Sequence, residues 1–124
     1  MNDDYPTPIW LKQFFSGWDD PCPLRSSGMD GLLREWSDPT FANIPYSHPM
    51  PWVEKAIAES RRGKRVVLLV RADPSTKWWM KLMVAKARFA FFHGRLDFMT
   101  DGRRGAFPWP SALVFLPGKE GTEP

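Results

Sequence analysis

Hydrophobic and polar residues alternate along this chain with several different periods, and each period predicts a different element. One continuously apolar run, "RVVLLV" at residues 65–70, is rich in β-branched side chains, the pattern of a strand covered on both faces in a parallel or mixed sheet. Before it, Trp52, Val53, Ala56, Ile57 and Ser60 recur at helical spacing, which predicts an amphipathic helix over 49–62 that Gly63 stops. "DPSTKWWMKLMVAKA" offers Ser75 or Thr76 as N-cap of a second helix reaching about Ala87. Near the start, "TPIWLKQFF" predicts a short helix over 8–15, capped by Thr7, opened by Pro8 and carrying Ile9, Trp10 and Phe14 as its apolar face.

The intervening stretches are less periodic. The two prolines of "WDDPCPL" suit a strand end opening into a loop, and "DGLLREW" suits a helical turn. The segment leading to Asn43 reads as short and extended. "RFAFFHGRLDF" and "SALVFLPG" read as two further strands joined by "MTDGRRGAFPWP", a loop rich in glycine, proline and arginine. Strands alternating with helices, then two strands close together, predict an α/β fold with a mixed sheet and an antiparallel edge. At 124 residues the chain is expected to be one domain, with residues 119–124 as a flexible tail.

Composition narrows the function classes. With 43% hydrophobic and 25% charged residues the chain has the make-up of a folded, soluble protein rather than a disordered one. No run approaches the roughly 18 apolar residues of a membrane span, and "MNDDYPTP" has no signal-peptide pattern, so a cytoplasmic location is expected, that of the host if the chain is viral. A lone cysteine, Cys22, closes no intramolecular disulfide, and two separated histidines supply no zinc-ligand set, so no metal is expected. A formal charge of +3 permits nucleic-acid binding, with basic clusters at Arg61, Arg62, Lys64 and Arg65 and at Arg103 and Arg104.

The chemistry-bearing stretch is "FANIPYSHP", residues 41–49. Pro45 holds Ile44 extended, which restricts the carbonyls of residues 43 and 44 and constrains the direction in which Tyr46 leaves the turn, there expected to be exposed. An amide oxygen and a backbone carbonyl beside an aromatic face can receive the exocyclic amine of a base and stack its ring. The same residues also make an ordinary proline-rich strand-to-helix turn.

"NIPY" resembles the Asn-Pro-Pro-Tyr motif of adenine-N6 amino-methyltransferases. Its surroundings, "TPIWL", "DPCPL", "DGL", "WVEKA", "VVLLV", "STKWW", "GRLDF" and "PSALVF", resemble in order the phage-type DNA N-6-adenine methyltransferase (Dam-like) family over nearly the whole chain. The resemblance implies a reduced Rossmann-like fold that uses S-adenosylmethionine. It implies that Asn43 and the carbonyl of Ile44 accept the two amine protons of a flipped adenine, that Pro45 stiffens the turn, and that Tyr46 stacks on the base. It further implies that Thr7 and Pro8 lie along the methionine part of the donor and that "DPCPL" is the first cofactor loop. In that loop are Asp20, opposite the donor's ammonium, Pro21, and Cys22, whose thiol is expected to pack. Asp30 would face the donor or the base edge.

No separate target-recognition domain fits in this length, so DNA contacts are expected from loops: Ser47 and His48, Lys77 and Trp78, and Arg103 and Arg104. Ribosomal-RNA adenine methyltransferases have a similar "NIPY" spelling, which leaves RNA as an alternative substrate. A non-catalytic nucleic-acid-binding module is the alternative function, and a homodimer would enlarge the grip on a duplex. Two departures stand out. Ile44 replaces the first proline, and the span from Asp20 to Asn43 is too short for two strand–helix units of about 30 residues each. The acidic residue that holds the donor's ribose in such folds has no clear counterpart there, with Glu35 and Asp38 as the candidates.

Overall fold

The computed structural model describes residues 5–22, 29–100 and 103–118. At its centre lies the predicted apolar strand, β2 (Val66–Arg71), with every residue buried except Arg71 at its end. Strand β1 (Thr40–Asn43) runs parallel to it, pairing Thr40 with Val66 and Asn43 with Leu69. On the other side β6 (Ser111–Leu116) runs antiparallel, from Val66 opposite Leu116 to Arg71 opposite Ser111. β3 (Arg88–Phe91) pairs antiparallel with β6, giving the order β1-β2-β6-β3. The sheet is mixed, as expected, with β3 as its antiparallel edge, and the inner pairing of β6 with β2 is antiparallel as well.

Helix α3 (Pro49–Arg61) crosses over between the parallel strands β1 and β2. Its predicted face, Trp52, Val53, Ala56, Ile57 and Ser60, is the buried one. Helix α4 (Lys77–Val84) is capped by Thr76, whose Oγ1 accepts a hydrogen bond from Trp79 N–H at 3.3 Å. It ends before the expected Ala87, where Lys86 adopts φ 64°, a left-handed conformation that no helix continues. Helix α2 (Met29–Leu33) is the expected turn in "DGLLREW".

Helix α1 (Ile9–Phe14) forms where predicted, yet its core-facing residue is not one of the expected three. Leu11 is its buried residue, whereas Ile9, Trp10 and Phe14 are 60%, 49% and 73% exposed. Thr7 is not the cap either: Pro8 holds the N-cap position, its carbonyl accepting from Leu11 and Lys12 at 3.1 and 2.9 Å. The Thr7 hydroxyl is engaged elsewhere, as described below.

The stretch predicted as one strand over 88–98 and a loop over 99–110 is different too: the strand stops at β3. β4 (Asp97–Thr100) and β5 (Arg103–Ala106) form a separate two-stranded antiparallel sheet, Thr100 opposite Arg103. The Asp-Gly sequence between them is a strong hairpin signal.

Because β2 is buried on both sides, its alternate side chains serve two cores. Val66, Leu68 and Val70 join Trp52, Val53, Ile57, Trp78, Trp79 and Leu82 on the helical face. Val67 and Leu69 join Leu11, Phe41, Tyr46, Leu96 and Phe107 on the opposite face. Burying each of these large side chains stabilises the fold by about 1.5–3 kcal/mol. No helix among the described residues is long and apolar enough to cross a membrane.

Candidate active site

In open sheets built from crossover units, ligands bind beyond the carboxyl ends of the parallel strands. Here those ends deliver Asn43 from β1 and Arg71 from β2, and the turn at 43–46 lies between them. Ile44 explains itself once the ladder is in place. Its N–H donates to the Leu69 carbonyl at 3.3 Å, extending the β1–β2 pairing by one bond, and its side chain is buried in the helical core. A proline at this position has no N–H to give. The departure from Asn-Pro-Pro-Tyr therefore anchors the turn to the sheet, and Pro45 still stiffens it.

Asn43 is half-buried. Its amide Nδ2 donates to the Tyr5 carbonyl at 2.8 Å and to Thr7 Oγ1 at 3.1 Å. The N-terminal segment thus lies against the motif, and Thr7 serves Asn43 instead of capping α1.

Tyr46 corrects the expectation of an exposed ring. It is 2% exposed, its hydroxyl shares a 2.7 Å hydrogen bond with Ser111 Oγ, and burial pushes its pKa up to about 12 although the Ser111 bond opposes the shift. Tyr5, Phe107 and Trp109 surround it with ring centroids at 5.5, 5.7 and 5.5 Å. The physical cause is the aromatic content of residues 5 and 107–109, which fold over the turn from both termini.

Arg71 closes the other side. Its guanidinium donates from Nη1 to the Tyr46 carbonyl and from Nε to Asp73 Oδ2 at 3.1 Å. The same group lies 5.4 Å from the Trp78 ring centroid and 5.8 Å from that of Trp109, a cation–π arrangement that fixes its direction. Arg71, Trp109, Tyr5 and Ser111 were all missed in the sequence. Only the position of Arg71, a charge ending an apolar strand, marked it as unusual.

Beside this turn is a cleft of about 510 Å³ lined by Thr7, Ile9, Lys12, Phe15, Trp18, Asp20 and Phe41, among others. The cleft brings together Thr7 and Asp20 of the expected donor-binding set. Pro8 is buried at the start of α1, where its two accepted bonds hold the first turn. Asp20 is accessible at the rim and accepts from Cys22 N–H at 3.3 Å; desolvation by the surrounding protein raises its pKa despite that bond. Its neighbour Asp19 is structural. Arg34 grips both its oxygens at 2.7 Å, Ser37 N–H adds a bond at 2.9 Å, and with the Arg34 bond leading, its pKa is lowered.

Pro21 is buried and Cys22 packs against the helical core. Pro21 also explains the glycine of "DGL": a Cβ on Gly31 would fall 1.9 Å from the Pro21 carbonyl oxygen, so only glycine lets the loop close on α2. Asp30 lies on α2, with its side chain outside the described residues.

Glu35 and Asp38 do not stand ready for a ribose. Glu35 pairs with Lys64 at 2.8 Å and Asp38 accepts from Arg65 N–H and Nε at 2.8 and 3.2 Å. Those pairs also occupy half of the 61–65 basic cluster.

The expected DNA contacts are scattered. His48 is exposed at the N-terminus of α3 with Ser47 half-buried before it, and Lys77 is exposed at the start of α4. Trp78 is 5% exposed and packs in the core, so it presents no open face for a base. Arg103 and Arg104 belong to β5 rather than to a loop; their side chains are outside the described residues. Among the described residues, no group of three or more histidine, cysteine and acidic side chains could hold a metal ion.

Comparison with known proteins supplies independent evidence. A DNA N-6-adenine-methyltransferase of Haemophilus phage HP1 (strain HP1c1) is 39% identical over 117 residues, covering 80% of this chain and 68% of the relative. A DNA N-6-adenine-methyltransferase of Escherichia phage T1 is 26% identical over 103 residues, covering 81% of this chain. This chain spans only 42% of that relative's length. The family model described as DNA N-6-adenine-methyltransferase (Dam) matches residues 24–111, a span that contains the whole 43–46 turn, Arg71 and Trp109. On this match and the HP1 relationship together, the chain belongs to the DNA N-6-adenine-methyltransferase (Dam) family.

Proposed function

We propose that this chain transfers a methyl group from S-adenosylmethionine to the N6 amine of an adenine in DNA, with Asn43–Tyr46 as the amine site and the neighbouring cleft as the donor site. The observation that carries this reading is the double role of Thr7. Its hydroxyl accepts a hydrogen bond from Asn43, and the same residue lines the cleft, which makes the two proposed sites neighbours. Methyl transfer requires such adjacency, since alignment of acceptor and donor is the principal catalytic task.

The cleft suits the donor in size and lining. Its volume of about 510 Å³ falls within the range of small-molecule sites. Its aromatic walls suit a nucleoside, and the Asp20 carboxylate, already penalised by desolvation, gains from an ammonium partner. S-adenosylmethionine supplies an electrophilic methyl on a sulfonium. The chain supplies the rest. Asn43 Oδ1 and the Ile44 carbonyl accept hydrogen bonds from the two amine N–H groups and turn the nitrogen lone pair toward the cleft, while the packed aromatic residues exclude water. The sulfonium leaves as a neutral thioether, and the proton that the methylated amine loses passes to solvent. Tyr46 becomes a stacking surface once the Trp109 ring makes room for the base. The fold that holds these groups is read as a reduced Rossmann-like methyltransferase with one parallel crossover unit, β1–α3–β2.

The test is transfer of a labelled methyl to unmethylated DNA and, in parallel, to RNA, with nucleoside analysis of the product. N6-methyladenine in DNA is expected. Asn43→Ala should lower the rate at least about 100-fold, the scale of losing a group that stabilises developing charge, with thermal unfolding little changed. A rate in Asn43→Ala equal to wild type would refute the site assignment, and label confined to RNA would refute the substrate.

A further inference from the structure

The two hydrogen bonds to Asn43 carry information beyond adjacency. A side-chain amide can be turned either way, presenting oxygen or NH2 to a given direction. The Tyr5 carbonyl oxygen, 2.8 Å away, has no proton to donate, so the group facing it must be the NH2. Thr7 Oγ1 lies on the same side at 3.1 Å and can accept the second proton. With both N–H bonds spent on the N-terminal segment, the planar amide directs Oδ1 away from that segment.

We propose that residues 5–7 form a positioning strap that sets the orientation of the Asn43 amide, with Thr7 as its side-chain member and the Tyr5 carbonyl as its backbone member. The inference rests on the reading of Asn43 as acceptor for the substrate amine. An unheld amide would spend part of its time presenting NH2 to an NH2, a donor against a donor that binds nothing and turns the lone pair the wrong way. The strap removes that population before substrate arrives.

Its sequence is suited to the task. In "YPTP" both Tyr5 and Thr7 precede prolines, which confines each to extended backbone and stiffens the segment. Pro6 and Pro8 are buried, and the Tyr5 ring is seated between Tyr46 and Phe107 at 5.5 and 5.8 Å. The strap thus has its own anchorage and does not depend on Asn43 to stay in place.

The experiment uses 15N-labelled full-length protein carrying Thr7→Val, Thr7→Ala or Thr7→Ser, with the Asn43 side-chain NH2 resonances identified by their loss in Asn43→Ala. Slow solvent exchange of these protons is expected in wild type. Thr7→Val and Thr7→Ala should each speed exchange of one proton at least about tenfold and move its resonance, and Thr7→Ser should restore both. In turnover, Thr7→Val should lower kcat at saturating S-adenosylmethionine roughly tenfold, the scale of one lost ordering hydrogen bond, with recovery in Thr7→Ser.

Three results would each overturn the proposal: unchanged Asn43 amide resonances in both Thr7→Val and Thr7→Ala, an unchanged kcat at saturating donor in both, or a raised kcat, which would make the segment a plug. Thr7→Ala keeps the test decisive if Thr7→Val fails to fold. The resonance measurement needs no turnover, so a chain that methylates nothing would refute the proposed function and still decide the strap.

Discussion

The two faces of the central sheet are made from different kinds of sequence. The helical face is regular: alternate residues of β2 meet side chains that recur every three or four positions on α3 and α4. The opposite face is irregular. Leu11, Phe41 with Tyr46, Leu96 and Phe107 come from four separate segments, and the candidate site lies among them. The difference teaches where each task is placed in so short a chain: periodic sequence supplies the support, and proline-marked aperiodic segments from both termini converge to make the chemistry.

The sharpest way to break this comparison is to weaken the support alone. Leu68 is fully buried, at 0% exposure, on the helical side of β2. Leu68→Ala should cost about 2–5 kcal/mol, the usual penalty of lost burial plus a residual cavity, measured by denaturant unfolding. Activity per folded molecule should hold close to wild type. A loss below about 1 kcal/mol would show that the helical core is not the main support.

Legibility followed the same division. β2 and α3 could be read directly because a continuous apolar run and a helical period are local signals; the helical period marks Trp52, Val53, Ala56, Ile57 and Ser60 but not the buried Pro49 and Glu59. The motif at 43–46 was legible from its residue types and their order. What surrounds it was not. Asn43 meets Tyr5 and Thr7 across 38 and 36 positions of chain, and Tyr46 meets Ser111 across 65. No local pattern reports such contacts, which is why Tyr46 was expected to be exposed and Thr7 to cap α1. The strands β4 and β5 were hidden for another reason. At four residues each, with charged residues and a glycine among them, they carry no apolar alternation to read.

Two carboxylates sharpen the comparison further, because they are shifted in opposite directions. Glu59 lies in the support, 1% exposed. Burial alone would raise its pKa, but bonds from Lys64 at 2.6 Å, Lys55 at 2.9 Å and Trp36 N–H at 3.3 Å outweigh it and leave the pKa lowered. A lowered folded pKa means stability that is fully present above the unfolded value near 4.5 and is lost as pH falls through the folded value. Glu59→Gln should cost on the order of 1–3 kcal/mol at neutral pH, since it leaves charged partners without their acceptor, and it should flatten the acid limb of the stability profile. An unchanged acid limb would remove Glu59 from the account.

Asp20, at the rim of the proposed donor site, behaves in the reverse sense. Desolvation raises its pKa above 3.8, so the fold favours the protonated form, and stability is lost as pH rises through the interval between the unfolded and folded values. At neutral pH the ionised carboxylate is therefore a small burden on the fold. Asn at this position keeps an oxygen for the Cys22 N–H and removes the charge. Asp20→Asn should raise stability slightly, by no more than about 0.5 kcal/mol at an accessible position, and the gain should vanish below pH 3.8. The same change should weaken S-adenosylmethionine binding roughly tenfold or more, as the loss of a charge-assisted bond predicts. Opposite signs for stability and binding are the mark of a residue kept for its ligand at the expense of the fold. If Asp20→Asn instead destabilises the protein and leaves donor affinity intact, Asp20 belongs with Glu59 in the support, and the division between the two faces fails at the rim of the cleft.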